Sequence, residues 1–390
     1  MDTPIRLQRV RVEGYKRLRQ IDVQLRPLNV LIGANGAGKS SFLDLFDLIA
    51  RSARQELAAA LAKRGGIARV ISFDAPPRLF IELETTPIEW PDDSTHKSPF
   101  KYELELHSKP LGYQFLRENF VQQRDTPEPF RYIQRSQTTL KFYDPKLKGL
   151  SDYEEPFARD ETALSQAPRM FPAADNFRRR LAATCHMAPI PLGERAPVMV
   201  PQTLIPDASV PGADGSNLLS ALYLLRTAHE DVYERLEDFL KSGFPDFKKL
   251  EFPPAGAGQI MLAWHENGLA PSYAPELSAG TLRFIHLAAL LLSPQPPPLI
   301  LLDEPEMSFH PELIRLLSEL LKDAALRTQI IVATHSPLLL RWLDPADVMI
   351  VDRIDGNTTV TSAGNIDLAG WLKDYSLDAL WDMNVLGGRP

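Results

Sequence analysis

Apolar and polar positions alternate through IRLQRVRVEGY (residues 5–15) and cluster through IDVQLRPLNVLI (residues 21–32), and both stretches read as strands. From Ser40 to about Ala62 the apolar residues Leu45, Leu48, Ile49, Ala53 and Leu57 recur at helical spacing with no proline. LFIELE and YELELH, near residues 79–84 and 102–107, alternate like half-buried strands, and Asn217–Lys241 is patterned as helix. From Leu282 onward the order is helix, strand (LILL), helix (Leu313–Ala324), strand (IIVAT), helix, strand (VMIVD). An amphipathic helix is expected around Trp371–Trp381. Strands alternating with helices imply a parallel α/β sheet. The two ends therefore form one domain, expected at 1–145 and 246–390, with an inserted Pro-rich and helical subdomain at 146–245. Sixteen of the 34 prolines fall between residues 87 and 211. That excludes a long coiled coil there, because interior proline breaks a helix.

Composition adds bounds. At 390 residues, 44% hydrophobic and 24% charged, the chain has the balance of a soluble globular protein and enough length for a sizeable core. One cysteine, Cys185, rules out an intrachain disulfide and a cysteine-rich metal site. No apolar run approaches the roughly 18 residues that span a bilayer, and no apolar stretch follows the basic N-terminus, so a cytoplasmic protein with no membrane partner is expected. The net charge of −7 argues against a surface coated for nucleic acid. Local excesses remain: seven Lys/Arg against three Asp/Glu in residues 1–26, including Lys16, Arg17 and Arg19, and six against three in residues 124–148. Solvated faces of strands and loops are the expected reading of both.

Four motifs carry chemistry. GANGAGKS places Gly33, Gly38, Lys39 and Ser40 in P-loop spacing, after a strand and before a helix. Glycines let backbone N–H groups face phosphates, and the helix N-terminus adds partial positive charge. The loop Gly33, Ala34, Asn35, Gly36, Ala37, Gly38, Lys39, Ser40 and Ser41 is thus a candidate ATP cradle. Lys39 would neutralise the β- and γ-phosphates and Ser40 would ligate Mg²⁺. LILLDEPE ends a buried strand in Asp303 and Glu304. Carboxylates at the carboxyl end of a strand suit Asp303 holding Mg²⁺ through water and Glu304 polarising the attacking water, although the same pattern alone also describes a strand entering a turn. LSAGTLRF sets Ser278 and Gly280 just before a helix, a second anion site or a simple serine cap. ATHSP puts His335 at the end of a strand expected beside LILL. A lone histidine there is ordinarily structural; beside LILL it would stand near the γ-phosphate.

In this order the four motifs resemble ABC-type ATPase heads, within the soluble branch of SMC, RecF and OLD-like ATPases and stand-alone relatives. GANGAGKSS, the LRF form of the signature, DEPExxxHP and the terminal LGGRP carry the likeness, over about residues 1–85 and 250–350. The resemblance implies a P-loop NTPase head of mixed sheet flanked by helices. It also implies a head-to-tail homodimer around two ATPs, with Lys39, Ser40, Asp303, Glu304 and His335 on one face and Ser278 and Gly280 from the partner. His310 stands where transporters carry a D-loop aspartate, and neither Gln137 nor Gln166 is a clear Q-loop glutamine. Asp352 and Asp355 read as strand-end and turn residues, so any nuclease is a separate polypeptide.

The expected function is an Mg²⁺-dependent ATPase switch that controls DNA or an effector protein, in DNA repair or anti-phage defence. The alternatives are the nucleotide-binding subunit of a membrane transporter and a non-hydrolysing ATP-dependent scaffold.

Overall fold

The computed structural model describes residues 5–388 except 73–75, 91–92, 125, 145–146, 153–156, 169–170 and 355, and the side chains of residues 90 and 93–95. The chain divides into two compact units. The first comprises residues 1–184, 345–367 and 384–390; the second comprises residues 185–344 and 368–383. The stretch 146–245 runs through both, passing from the first unit to the second after Thr184.

An eight-stranded antiparallel sheet dominates the first unit. Its spatial order is Gly149–Asp152, Leu140–Asp144, Phe130–Arg135, Gly112–Gln122, Phe100–Lys109, Arg78–Thr85, Leu7–Tyr15 and Leu18–Gln24. The period-two pattern gives it one apolar face. Val10, Val12, Ile81, Leu83, Tyr102, Leu104, Leu106 and Phe120 are buried. Phe177, on the helix Pro172–Ala182, stacks on Phe120 with ring centroids 4.9 Å apart. The other face is a ladder of charge: Arg9 donates to Asp22 at 2.7 Å, Arg78 meets Glu13 at 2.7 Å, and Lys101 meets Glu82 at 2.9 Å.

One buried node lies outside this pattern. Glu118 is fully buried and accepts from Ala163 N–H at 2.7 Å, Leu164 N–H at 2.8 Å and the Tyr102 hydroxyl at 3.0 Å. Burial pushes its carboxyl up, against the pull of those N–H groups. It ties the segment Ala163–Leu164 to the middle of the sheet.

The first unit also holds the strand Leu28–Ile32, buried throughout, in parallel register with Val348–Ile354, which pairs antiparallel with Asn357–Ser362. The apolar run at residues 21–32 is therefore two strands: Leu25 N–H still donates to the Gln8 carbonyl at 2.8 Å, and the break falls at Arg26–Pro27, where the Asn29 amide turns back to the Arg26 carbonyl at 2.7 Å. The helix Lys39–Ala53 follows, and Leu57–Lys63 is a separate helix whose first N–H groups, of Leu57 and Ala58, are capped by Glu161 at 2.8 and 3.1 Å.

In the second unit, Cys185–Met187, Leu299–Asp303 and Gln329–Ala333 form parallel pairs. Around them stand Leu218–Ala228, Glu230–Gly243, Ala279–Leu291 and Pro311–Ala325. The helical stretch 217–241 is two helices, parted at His229. The helix expected at Trp371–Trp381 is a single 3₁₀ turn, Trp371–Lys373, followed by the short helix Leu377–Asp382. Among the described residues, no helix is long and apolar enough to cross a membrane.

Phe120→Ala would remove a fully buried ring and its stack on Phe177. The expected loss of unfolding free energy is about 3–5 kcal/mol in urea titrations; a loss below about 1 kcal/mol would contradict the packing described.

Candidate nucleotide site

The first unit supplies a phosphate cradle. Gly33 leaves the strand so close to Val351 that an added Cβ would lie 2.0 Å from its carbonyl oxygen, so only glycine fits. Gly38 has φ +125° and would press a Cβ to 2.8 Å from Thr358 Oγ1, while Gly36 has φ +76°. Thr358 is buried and donates to the Ala37 carbonyl at 2.7 Å. The Ala34 N–H donates to the Gly388 carbonyl at 3.0 Å. The buried Lys39 folds back, its Nζ donating to the carbonyls of Gly33 at 2.6 Å and Ala34 at 3.1 Å.

The helix starting at Lys39 has no side-chain cap and no acidic residue in its first turn. Its first N–H groups and dipole are thus left for an anion. Ser40 is exposed and Ser41 half-exposed beside them. Arg17 is exposed in the turn between the first two strands, and its Nη1 lies 4.0 Å from where a Gly36 Cβ would be. The residues present fit a nucleotide's phosphates, and the Ser40 hydroxyl is a hard oxygen donor of the kind Mg²⁺ takes.

The second unit supplies acids and a histidine. Leu299, Ile300, Leu301 and Leu302 are buried and deliver Asp303, half-exposed, to the strand's carboxyl end. Glu304 follows at φ +47°, with its N–H held by the Ala333 carbonyl at 2.8 Å. A glutamate in the left-handed region is unusual, and such conformations gather where a side chain must be aimed. Here Glu304 Oε1 stands 3.5 Å from His335 Nε2, both side chains being about two-fifths exposed. The parallel pairing of the two strands, Asp303 opposite Ala333, creates this meeting.

Two residues beyond Glu304, the carboxyl of Glu306 is buried and accepts from the buried Thr334 hydroxyl, which also accepts from Ser336 N–H at 2.9 Å. Burial pushes the Glu306 carboxyl up, aided by the Glu304 charge and opposed by Thr334 and by the N–H groups of Glu306 and His335. The turn after the strand is thereby fastened to the segment that carries His335. Glu306 stands in the sequence as the third acid of DEPE, while nothing there points to its partner Thr334.

The signature residues have a local explanation as well. Ser278 caps its helix, accepting from Thr281 N–H at 3.0 Å, so the cap reading is realised. The side chain remains on an exposed residue. A Cβ on Gly280 would fall 2.6 Å from the Ser308 carbonyl oxygen. Arg283 donates to Ser308 Oγ at 2.7 Å, so the start of this helix is seated on the turn that begins with Glu304.

The remaining candidates are placed as follows. His310 is exposed and precedes the helix Pro311–Ala325. Gln166 binds its own loop, accepting from Ala158 N–H at 2.6 Å and donating to the Ala158 carbonyl at 3.0 Å, while Gln137 lies in an exposed turn. Asp352 accepts from Arg353 N–H at 2.6 Å on its strand; Asp355 lies outside the described residues, as do Arg389 and Pro390 of LGGRP. Among the described residues, no three His, Cys, Asp or Glu gather as a metal-holding group.

Much of the local basic excess is engaged within the protein. Lys16 pairs with Asp44, and Arg135 is buried, stacked 3.6 Å from the Phe115 ring centroid, and donates to the Glu161 carbonyl at 2.7 Å. Arg124 stacks 3.8 Å over Phe130, and Lys141 faces Asp152 at 3.7 Å.

Comparison with known proteins agrees with this architecture. The family model described as "AAA domain, putative AbiEii toxin, Type IV TA system" matches residues 28–341. An SMC head solved with the C-winged helix domain of ScpA is similar at a TM-score of 0.53 and 13% identity, over 91% of this chain and 97% of that one. An SMC head with an extended coiled coil, bound to the C-terminal domain of ScpA derived from Pyrococcus furiosus, is similar at 0.52 and 13%, over 97% and 100%. No curated protein sequence matches. With the P-loop and the acidic strand end in one chain, the protein belongs to this AAA-domain family, and its fold is that of an SMC-type head.

Proposed function

We propose that the protein is an ATP-binding and ATP-hydrolysing switch that closes as a head-to-tail dimer around two ATPs and controls DNA or a separate effector protein, such as a nuclease. DNA repair or defence against phage is the setting this reading favours. The observation that carries it is Glu304, held at φ +47° with its carboxylate 3.5 Å from His335 at the end of a buried strand. A non-hydrolysing scaffold has no use for that strained pair.

The roles follow from the chemistry of each group. Backbone N–H groups of Gly33–Ser41 other than those of Ala34 and Ala37, which bond within the chain, bind the phosphates together with the Lys39 ammonium. Ser40 and Asp303 are the residues that would hold Mg²⁺, which would supply neutralising charge to the phosphates. Glu304 accepts the proton of the attacking water, and His335 orients the γ-phosphate and the Glu304 carboxylate. Ser278 and Gly280 present the start of their helix to the nucleotide of the partner subunit. Each chain carries one copy of each half, so the chemistry calls for two chains. DNA contact would fall to cations such as Arg19 and Arg131, rather than to Lys16 or Arg135, which already have protein partners.

Glu304→Gln keeps the shape and removes the base. Turnover measured by phosphate release is expected to fall about 10²- to 10⁴-fold with ATP binding retained. Lys39→Ala is expected to lose ATP binding itself. Equal turnover in Glu304→Gln and unaltered protein would contradict the assignment.

Binding to duplex DNA through phosphate contacts is expected to weaken steeply between 50 and 200 mM salt, in proportion to the contacts made. Filter binding or anisotropy checks this. No binding at low salt would leave the effector protein as the controlled partner.

A further inference from the structure

The LGG of the terminal motif has no part in the chemistry above, yet the structure seats it against the P-loop. Leu386 is 4% exposed and anchors the segment. Asn384, Gly387 and Gly388 all have left-handed backbones, with φ of +57°, +75° and +78°. The Gly387 N–H closes a turn on the Asn384 carbonyl at 3.4 Å, and the buried Gly388 then presents its carbonyl to the Ala34 N–H at 3.0 Å. Two consecutive left-handed residues are a conformation that glycine alone adopts readily, which accounts for the Gly-Gly pair.

We propose that Asn384–Gly388 is a working part of the nucleotide site: a strut whose Gly388 carbonyl holds the P-loop in its phosphate-ready shape and so sets ATP affinity. This rests on the reading of Gly33–Ser41 as an ATP cradle. A phosphate cradle must turn N–H groups inward and fix its carbonyls elsewhere. The structure fixes this loop at several points. Val351 closes on Gly33, Thr358 takes the Ala37 carbonyl, and Gly388 takes the Ala34 N–H. The first two holds come from a strand pair whose register is locked by a full ladder. The third comes from a segment outside any strand or helix. Losing it would free the first turn of the loop, and ATP would have to order it on binding. Gly388 touches the loop from its own chain and acts through Ala34, so it is a positioning residue.

Gly387 makes a clean test, because nothing lies within 4 Å of where its Cβ would be. Gly387→Ala therefore strains the backbone without a clash, and Gly387→Asn, which tolerates the left-handed region better, is the conservative partner. Deletion of residues 387–390 removes the strut outright. The readouts are hydrogen exchange of the peptide containing Ala34 without nucleotide, ATP affinity by calorimetry, and turnover at saturating ATP.

Deletion is expected to speed exchange at Ala34 and to weaken ATP binding about five- to tenfold, the worth of one hydrogen bond. Turnover at saturation should stay within about threefold. Gly387→Ala should follow the deletion and Gly387→Asn should recover most of the affinity. Unchanged exchange and affinity in the deletion, or tighter ATP binding, would overturn the proposal. If the unaltered chain binds no ATP, the reading of the loop fails instead, and the proposed role in affinity falls with it; exchange at Ala34 still decides whether the strut exists.

Discussion

A peptide N–H group without a partner is costly inside a protein and useful beside an anion. The loop Gly33–Ser41 depends on this one constraint. Its carbonyls are taken up by Lys39 and Thr358, its Ala34 N–H by Gly388, and the helix behind it begins with no side-chain cap. Every glycine at a fixed position answers a backbone demand: Gly33 the closeness of Val351, Gly38 a φ of +125° against Thr358. The strands Val348–Ile354 and Asn357–Ser362 lie more than 300 residues further along the chain, yet they form the rear wall of this loop.

The second unit solves a different problem, that of holding a carboxylate and an imidazole close together at a strand end. Parallel register sets Asp303 opposite Ala333, the left-handed turn at Glu304 aims its side chain, and the buried Glu306–Thr334 bond fastens the turn to the His335 segment. Arg283 and Gly280 seat the signature helix on the same turn. The start of the helix capped by Ser278 thus packs on the turn that follows Glu304.

Much of this was legible in the sequence because the relevant chemistry is local. GANGAGKS, LILLDEPE and THS each sit where a strand ends, and the strand patterns on either side are unambiguous. The alternation of LFIELE and YELELH likewise announced half-buried strands, and the charge ladder on their outer face explains the polar half of the pattern. What the sequence does not display is long-range. Nothing in the letters around Gly388 says that its carbonyl meets Ala34, and nothing around Thr334 says that its hydroxyl meets Glu306. The basic residues of the first 26 positions and of 124–148 suggested a nucleic-acid face by count alone. Their ion pairs and ring stacks, with Asp44, Phe115, Phe130 and Asp152, emerge only once the sheet assembles. The helical pattern at 217–241 hid a break at His229 for the same reason: apolar spacing persists across a change in backbone direction.

The central claim is that two copies of this chain close around ATP, each completing the other's site. Mass by light scattering on the Glu304→Gln protein, with and without ATP and Mg²⁺, tests it most directly. The account predicts a doubling from monomer to dimer that requires ATP. A protein that stays monomeric at saturating ATP would contradict it.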